Sequence, residues 1–228
     1  FTSLQGKVYS DFSIDKNVGD YKYDRRLPVY IGMDFGYRAP AVVFAQVRYV
    51  KNLVTNTNDP VFYIIDEIVH RYNLKTSELV EIIKSKGYKI AKVMGDPAGY
   101  QVAASVGVGE ADIFYQLTGW RVMCRRDKSS RSIASGVSHV RSFIKAADGK
   151  RRFFIDKKCY GLIKDFESYR YPDTPDGKPI YDVPAKDGAD HSMDAVRYLL
   201  VGHTPIKQFK LRAKHDIQSS KSAYYRQS

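Results

Sequence analysis

Cysteine is nearly missing from this sequence. Cys124 and Cys159 are the two in 228 residues, and they form no CxxC pair. This excludes a disulfide framework and a thiolate zinc site, and it leaves two buried or free thiols in a reducing compartment. Long apolar runs are missing too. No stretch reaches the roughly 18 residues that a membrane-spanning helix needs, and the best candidate, 61–69, carries Asp66 and Glu67. Phe1-Thr2-Ser3 has neither the basic nor the apolar region of a secretory leader. The first residue is not Met, so a fragment or a processed chain is expected. Internal repeats and low-complexity tracts are absent. Acidic residues are the scarcer charge, 25 against 37 Lys and Arg, for a formal net charge of +12. That excess suits a polyanionic partner, nucleic acid among them, and equally suits a basic solvated surface.

What is present reads as an α/β domain with a mixed central sheet. The segments 29–35, 41–50 and 61–70 are apolar and β-branched, with a turn at 36–40 and an Asn-rich loop at 51–60 between them. Such short connections predict three antiparallel strands. The period then changes. Thr76 is placed as an N-cap, Leu79, Ile82 and Ile83 form a helical stripe, and Gly87 sits just past the helix end. Short strands at 91–95, 120–124 and 153–156 alternate with helices at 111–117, 130–147, 159–168 and 190–201. Alternation of this kind predicts parallel pairing and helices flanking the sheet. A strand-like piece at 8–12 and a proline-rich hairpin at 169–184 complete the expectation.

Three aspartates stand out by position. Asp34 ends the first strand, in Ile31-Gly32-Met33-Asp34-Phe35-Gly36, where an unpaired carboxylate costs solvation. Asp96 ends a parallel strand, and open α/β sheets bind ligands at such ends. Asp194 lies on the last helix, three residues from His191 and therefore on the same face. Each has a plainer reading: a turn-capping Asp, an Asp-Pro turn and a solvated helix face. Together they are more specific. Two acids on adjacent strand ends and a third on a helix above them can converge, and their mutual repulsion would raise some of their pKa values. A hard divalent ion removes that cost, and oxygen ligands suit Mg²⁺ or Mn²⁺. Two such ions about 3.5–4 Å apart serve in-line phosphoryl displacement.

Four segments resemble the C-terminal nuclease domain of the large terminase subunit, the DNA-packaging motor of tailed bacteriophages. They are Leu4-Gln5-Gly6-Lys7-Val8-Tyr9-Ser10-Asp11-Phe12, Tyr30-Ile31-Gly32-Met33-Asp34-Phe35-Gly36, Gly95-Asp96-Pro97-Ala98 and His191-Ser192-Met193-Asp194-Ala195-Val196-Arg197-Tyr198. The last is the most specific. The resemblance implies a ribonuclease H-like fold and a metal-dependent endonuclease that cuts concatemeric double-stranded viral DNA. Asp34, Asp96 and Asp194 would hold the ions, His191 would bind metal or tune the site, and water would be the nucleophile. A packed helix-start histidine is the plainer reading of His191. Asp190 is a rival for a peripheral role, though it fits an N-cap better. The resemblance divides the chain into a linker from an N-terminal ATPase domain (1–28), the nuclease domain (29–202) and a basic tail (203–228). It also implies the ATPase domain, the portal and the small terminase subunit as partners, and the cytoplasm of the infected bacterial host as location. No GxxxxGK[ST] motif occurs, so the phosphate-cradling loop of an ATPase is absent from this sequence.

Arg121, Arg125, Arg126, Lys128 and Arg131 cluster after a strand whose carboxyl end should face the site. Arg125, Arg126, Lys128 and Arg131 are therefore the candidate DNA contacts, with a solvated basic loop as the alternative. Lys150-Arg151-Arg152 reads as a more distal basic turn. The 18 tyrosines are scattered and form no stacking platform, so weak sequence preference is expected. Two other assignments remain open at this point: another ribonuclease H-like nuclease of the junction-resolvase or transposase type, and a catalytically inert basic DNA-binding module.

Overall fold

The computed structural model describes residues 6–35, 39–53, 56–101, 108–125, 127–173 and 183–206, apart from the side chains of Lys128 and Arg131. In chain order the elements are α1 (Ile14–Asn17), β1 (Val18–Gly19), β2 (Val29–Asp34), β3 (Ala41–Asn52), β4 (Thr57–Ile68), α2 (Thr76–Ser85), β5 (Ile90–Gly95), a 3-10 turn (Pro97–Tyr100), α3 (Glu110–Thr118), β6 (Val122–Met123), α4 (Lys128–Arg131), α5 (Ile133–Ile144), β7 (Phe153–Asp156), α6 (Tyr160–Ser168) and α7 (Asp190–His203). The seven strands form one sheet in the order β1-β7-β4-β3-β2-β5-β6. β2, β3 and β4 pair antiparallel, whereas β5, β6, β7 and β1 join by parallel pairing. The mixed sheet expected from the changing period is therefore present.

Helices cover both faces, which is why Ala41 to Val47 of β3 is buried without alternation. On one face Leu79, Val80 and Ile83 of α2 and Ala111 and Phe114 of α3 pack against Val29, Ile31 and Met33 of β2. On the other, Val137 and Val140 of α5, Leu162 and Phe166 of α6, and Val196 and Leu200 of α7 pack against Val43, Ile64, Phe153 and Ile155. Strand geometry then assigns parity. Odd residues of β2 face α2 and α3, so Tyr30, Gly32 and Asp34 face α7. At Gly32 α7 sits close on the strand: a Cβ there would stand 2.2 Å from the Ala195 carbonyl oxygen and 2.6 Å from Leu199 Cβ. In β5, Val93 lies in the first layer and Met94 in the second, which puts Asp96 on the α7 side as well.

Several local expectations are corrected. The segment 8–12 is turns rather than a strand, tied by the Val8 N–H to the Tyr169 carbonyl at 3.0 Å and by an isolated Lys7–Arg170 bridge. Val8 and Tyr9 are buried there, so this part of segment 1–28 packs into the body. The loop expected at 51–60 is mostly strand, since β3 and β4 stay paired out to Asn52 and Thr57. Pro60 is tolerated opposite Tyr49 because β7 pairs with β4 only from Phe62 onward, and the missing N–H falls where no partner needs it. The helix expected at 130–147 is two, α4 and α5. Ser132 between them is extended (ψ 122°) and its hydroxyl accepts from the Ser135 N–H at 3.3 Å, the local bond by which serine competes with a continuous helix. The N-cap of α2 is Lys75; Thr76 is the first helical residue and its hydroxyl donates to Glu110. Gly87 does adopt a left-handed φ of 64° just past α2. Cys124 and Cys159 form no disulfide. Much of the proline-rich segment expected as a hairpin, 174–182, lies outside the described residues. No described helix is long and apolar enough to cross a membrane.

Candidate active site

The register of β2 with β5 pairs Gly32 with Met94 and Met33 with Gly95, so Asp34 and Asp96 follow side by side at the carboxyl ends of two parallel strands. Both point to α7, and α7 supplies a polar partner to each acid. His191 Nδ1 lies 2.7 Å from Asp34 Oδ2. The Tyr198 hydroxyl donates to Asp96 Oδ2 at 2.9 Å. Arg197 donates to Asp194 Oδ1 through Nη2 at 2.8 Å and Nε at 3.1 Å. His191, Asp194 and Tyr198 are spaced three and four apart along α7 and share one side of it, whereas Arg197, adjacent to Tyr198 in sequence, lies against Gly136 of α5. Asp96 also caps the 3-10 turn, accepting from the Ala98 N–H at 2.9 Å, so the Asp-Pro turn reading is realised alongside the site.

The acids sense one another. Burial pushes the Asp194 carboxyl up, Arg197 opposes this in part, and the charges of Asp34 and Asp190 add to the rise. Of the two other acids in the anticipated trio, Asp34 adds to the rise at Asp194, and burial is its main cause. Asp190 is not the N-cap; Ala189 holds that position, and the Asp190 carboxylate turns back to the Gly188 N–H at 3.0 Å.

His191 titrates above the ordinary histidine value of 6.5, because its bond to Asp34 outweighs the cost of burial, with the Asp34, Asp190 and Asp194 charges adding to it. A raised folded value means that the stabilisation is complete below the unfolded value of 6.5 and is lost as pH rises through the folded one. In the metal-free protein, His191→Gln should therefore lower the urea midpoint most near about pH 5.5 and least near about pH 8.5. A parent–variant difference that stays constant across that range would refute the charged pair.

Asp96 and Asp194 line one cleft of about 390 Å³, together with Arg125, Lys186, Arg197 and Tyr198. Asp34 is not in its lining, and His191 borders a neighbouring hollow of about 290 Å³. Among the described residues no three His, Cys, Asp or Glu side chains are gathered as a metal cage. The donor chemistry still fits a hard divalent ion in kind, being all carboxylate oxygen on converging elements. The present geometry instead satisfies each acid with its own partner on α7.

Of the basic candidates, Arg125 is exposed and reaches the cleft wall. Arg126 and the side chains of Lys128 and Arg131 lie outside the described residues. The distal basic turn is largely engaged internally. Arg151 donates to the Asp11 and Ile144 carbonyls and to Asn17 Oδ1, and Arg152 pairs with Asp59. Sequence reasoning passed over Arg197 and Tyr198 as site residues. The spacing of Arg197 from Asp194 was a usable signal for an ion pair; the reach of Tyr198 to Asp96, 102 residues away, was not.

No protein-family profile matches this sequence, and neither does any curated protein sequence. Solved structures do match in shape. The large terminase of a thermophilic bacteriophage aligns at TM-score 0.60 and 20% identity, over 87% of this chain and 45% of that one. The chain thus spans less than half the length of that terminase. The nuclease domain of the P22 large terminase aligns at TM-score 0.56 and 18% identity, over 86% and 92%. The nuclease domain of g2p, the large terminase of bacteriophage SPP1, solved with bound Mn, aligns at TM-score 0.54 and 20% identity, over 82% and 97%. At such identities the likeness is one of fold: this chain has the ribonuclease H-like α/β fold of large-terminase nuclease domains.

Proposed function

We propose that this chain is the nuclease module of a phage DNA-packaging terminase, a divalent-metal-dependent endonuclease that hydrolyses double-stranded viral DNA. One observation carries the reading. Asp34 and Asp96 end adjacent parallel strands beneath Asp194 on α7, in a fold shared with solved terminase nuclease domains. Asp34, Asp96 and Asp194 would hold the metal, Mg²⁺ or Mn²⁺, as one ion or two. Such an ion neutralises the charge that builds on a phosphodiester under attack by water. His191 holds Asp34 in orientation from α7, and Tyr198 does the same for Asp96. The remaining parts of the proposal follow the same fold: a connection through segment 1–28 to an ATPase domain, a nuclease body over 29–202, a basic tail over 203–228, action with a portal and a small subunit, and location in the host cytoplasm.

Digestion of supercoiled plasmid by the purified chain tests this. Nicking and linearisation in Mg²⁺ or Mn²⁺, abolished by EDTA, are expected. DNA binding without cleavage in either metal would favour the inert basic module. A strong preference for four-way junctions, or strand transfer, would favour the resolvase or transposase type.

The proposed DNA contacts are Arg125, on the cleft wall, and its sequence neighbours Arg126, Lys128 and Arg131. Each phosphate neutralised contributes about −0.9 to the slope of log affinity against log salt. Replacing Arg125, Arg126 and Lys128 together with Ala should flatten that slope, read by fluorescence anisotropy of a random duplex in EDTA. The metal requirement should stay unchanged, because none of the three offers an oxygen ligand. An unaltered slope would move the track off this loop.

A further inference from the structure

We propose that Arg197 is a resident counter-cation for Asp194, with which an arriving divalent ion must share that carboxylate, so that Arg197 holds down the metal affinity of the site. The inference rests on the metal-dependent reading above. Both of its hydrogen bonds, from Nη2 at 2.8 Å and Nε at 3.1 Å, fall on Oδ1, and Oδ2 accepts none among the described residues. Arg197 is 4% exposed, an unusual place for a guanidinium that has one carboxylate to balance it.

The side chain is also built in place. Its guanidinium carbon stands 4.5 Å from the centre of the Tyr198 ring, whose hydroxyl holds Asp96. Its stem runs across Gly136 of α5, where a Cβ would come within 2.4 Å of Arg197 Cδ and 2.7 Å of Cγ. A surface arginine can swing into water when a better cation arrives. This one is walled by α5 on one side and by the Tyr198 ring on the other, so it stays.

Two consequences follow for any cation entering the cleft. One oxygen of Asp194 is engaged, which steers the ion toward Oδ2. The fixed positive charge behind the carboxylate also repels the ion, and it does so at short range in a partly desolvated setting where screening is weak. When the cleft is empty, the same guanidinium keeps Asp194 paired and in position beside Asp34. Arg197 is thus a positioning residue whose charge works against metal uptake.

The test is Mn²⁺ binding to the whole chain without DNA, read from the electron paramagnetic resonance signal of free Mn²⁺, so no turnover enters the measurement. R197Q should bind Mn²⁺ about tenfold more tightly, the effect of removing one nearby unit charge. R197K keeps the charge and should stay within about twofold of the parent. G136A leaves the charge count alone but displaces the arginine stem from its groove, and it should tighten binding by about threefold or more. Unchanged or weaker binding in R197Q or in G136A overturns the inference. If circular dichroism finds R197Q unfolded, G136A decides alone. A parent that takes up no Mn²⁺ overturns the metal-dependent reading and this inference with it, whereas a parent that binds and variants that do not tighten overturn this inference only.

Discussion

Asp34→Asn, Asp96→Asn and Asp194→Asn should each slow plasmid cleavage by about 100-fold or more in Mn²⁺, since a metal ligand is worth several kcal/mol of transition-state charge stabilisation and each 1.36 kcal/mol is a decade in rate. The substitution preserves shape and removes the charge that a hard cation needs. The three variants should differ in stability. Asp34 and Asp96 are bound by His191 and Tyr198, and an amide can still accept from either. Asp194 instead balances Arg197, whose side chain is 5% exposed while that of Asp194 is 30% exposed. Asp194→Asn leaves a buried guanidinium without its counter-charge, so this variant should also lose about 1–3 kcal/mol, less than a fully buried pair because water reaches the carboxylate. Initial rates of plasmid nicking and urea midpoints, taken on the same preparations, separate the two effects. Near-parental cleavage by any one variant removes that residue from the site.

Gly32→Ala should be the most damaging substitution outside the acids. The added Cβ meets backbone, the Ala195 carbonyl oxygen at 2.2 Å, and Leu199 Cβ at 2.6 Å. Neither has a rotamer by which to move aside, so α7 as a whole must lift from β2. Overpacking of this kind costs about 3 kcal/mol, toward the upper end of what inserted methyl groups do. The same displacement lengthens the 2.7 Å contact between His191 and Asp34 two residues along the strand. Cleavage per folded molecule should therefore fall about tenfold or more, because sub-ångström placement governs such sites. Gly202→Ala is the control. Its Cβ also meets a neighbour of α7, but no backbone atom: the nearest is Cγ of Met94 at 2.4 Å, which a change of rotamer can move, and the fixed Met94 Cβ stands farther off at 2.9 Å, so the cost should be smaller. Equal stability losses for the two variants, or parental cleavage by Gly32→Ala, would contradict the close seating of α7 on β2.

Much of this was legible one residue at a time. The strands of the sheet centre are continuous apolar runs because helices cover both of their faces, and such runs announce themselves by composition alone. The three acids were conspicuous because carboxylates at strand ends and on an apolar helix face violate the burial pattern around them. His191 and Asp194 could be placed on one face by helical periodicity. The extent of β3 and β4 was not legible, since Asn and Pro at 51–60 read as loop and only the paired partner strand makes them strand. The break at Ser132 was hidden because its neighbours are all acceptable in a helix.

By itself, then, the sequence determined the mixed α/β class and the period of most helices, and it marked three aspartates as candidates, because these depend on local propensity and on which side chains tolerate water. Tertiary structure alone decided which partners Asp34 and Asp96 take. Parity along β2 and β5 turns Asp34 and Asp96 toward α7, and the missing side chain of Gly32 lets that helix descend until His191 and Tyr198 reach them. Those contacts join residues up to 157 positions apart, a separation across which no local pattern carries information.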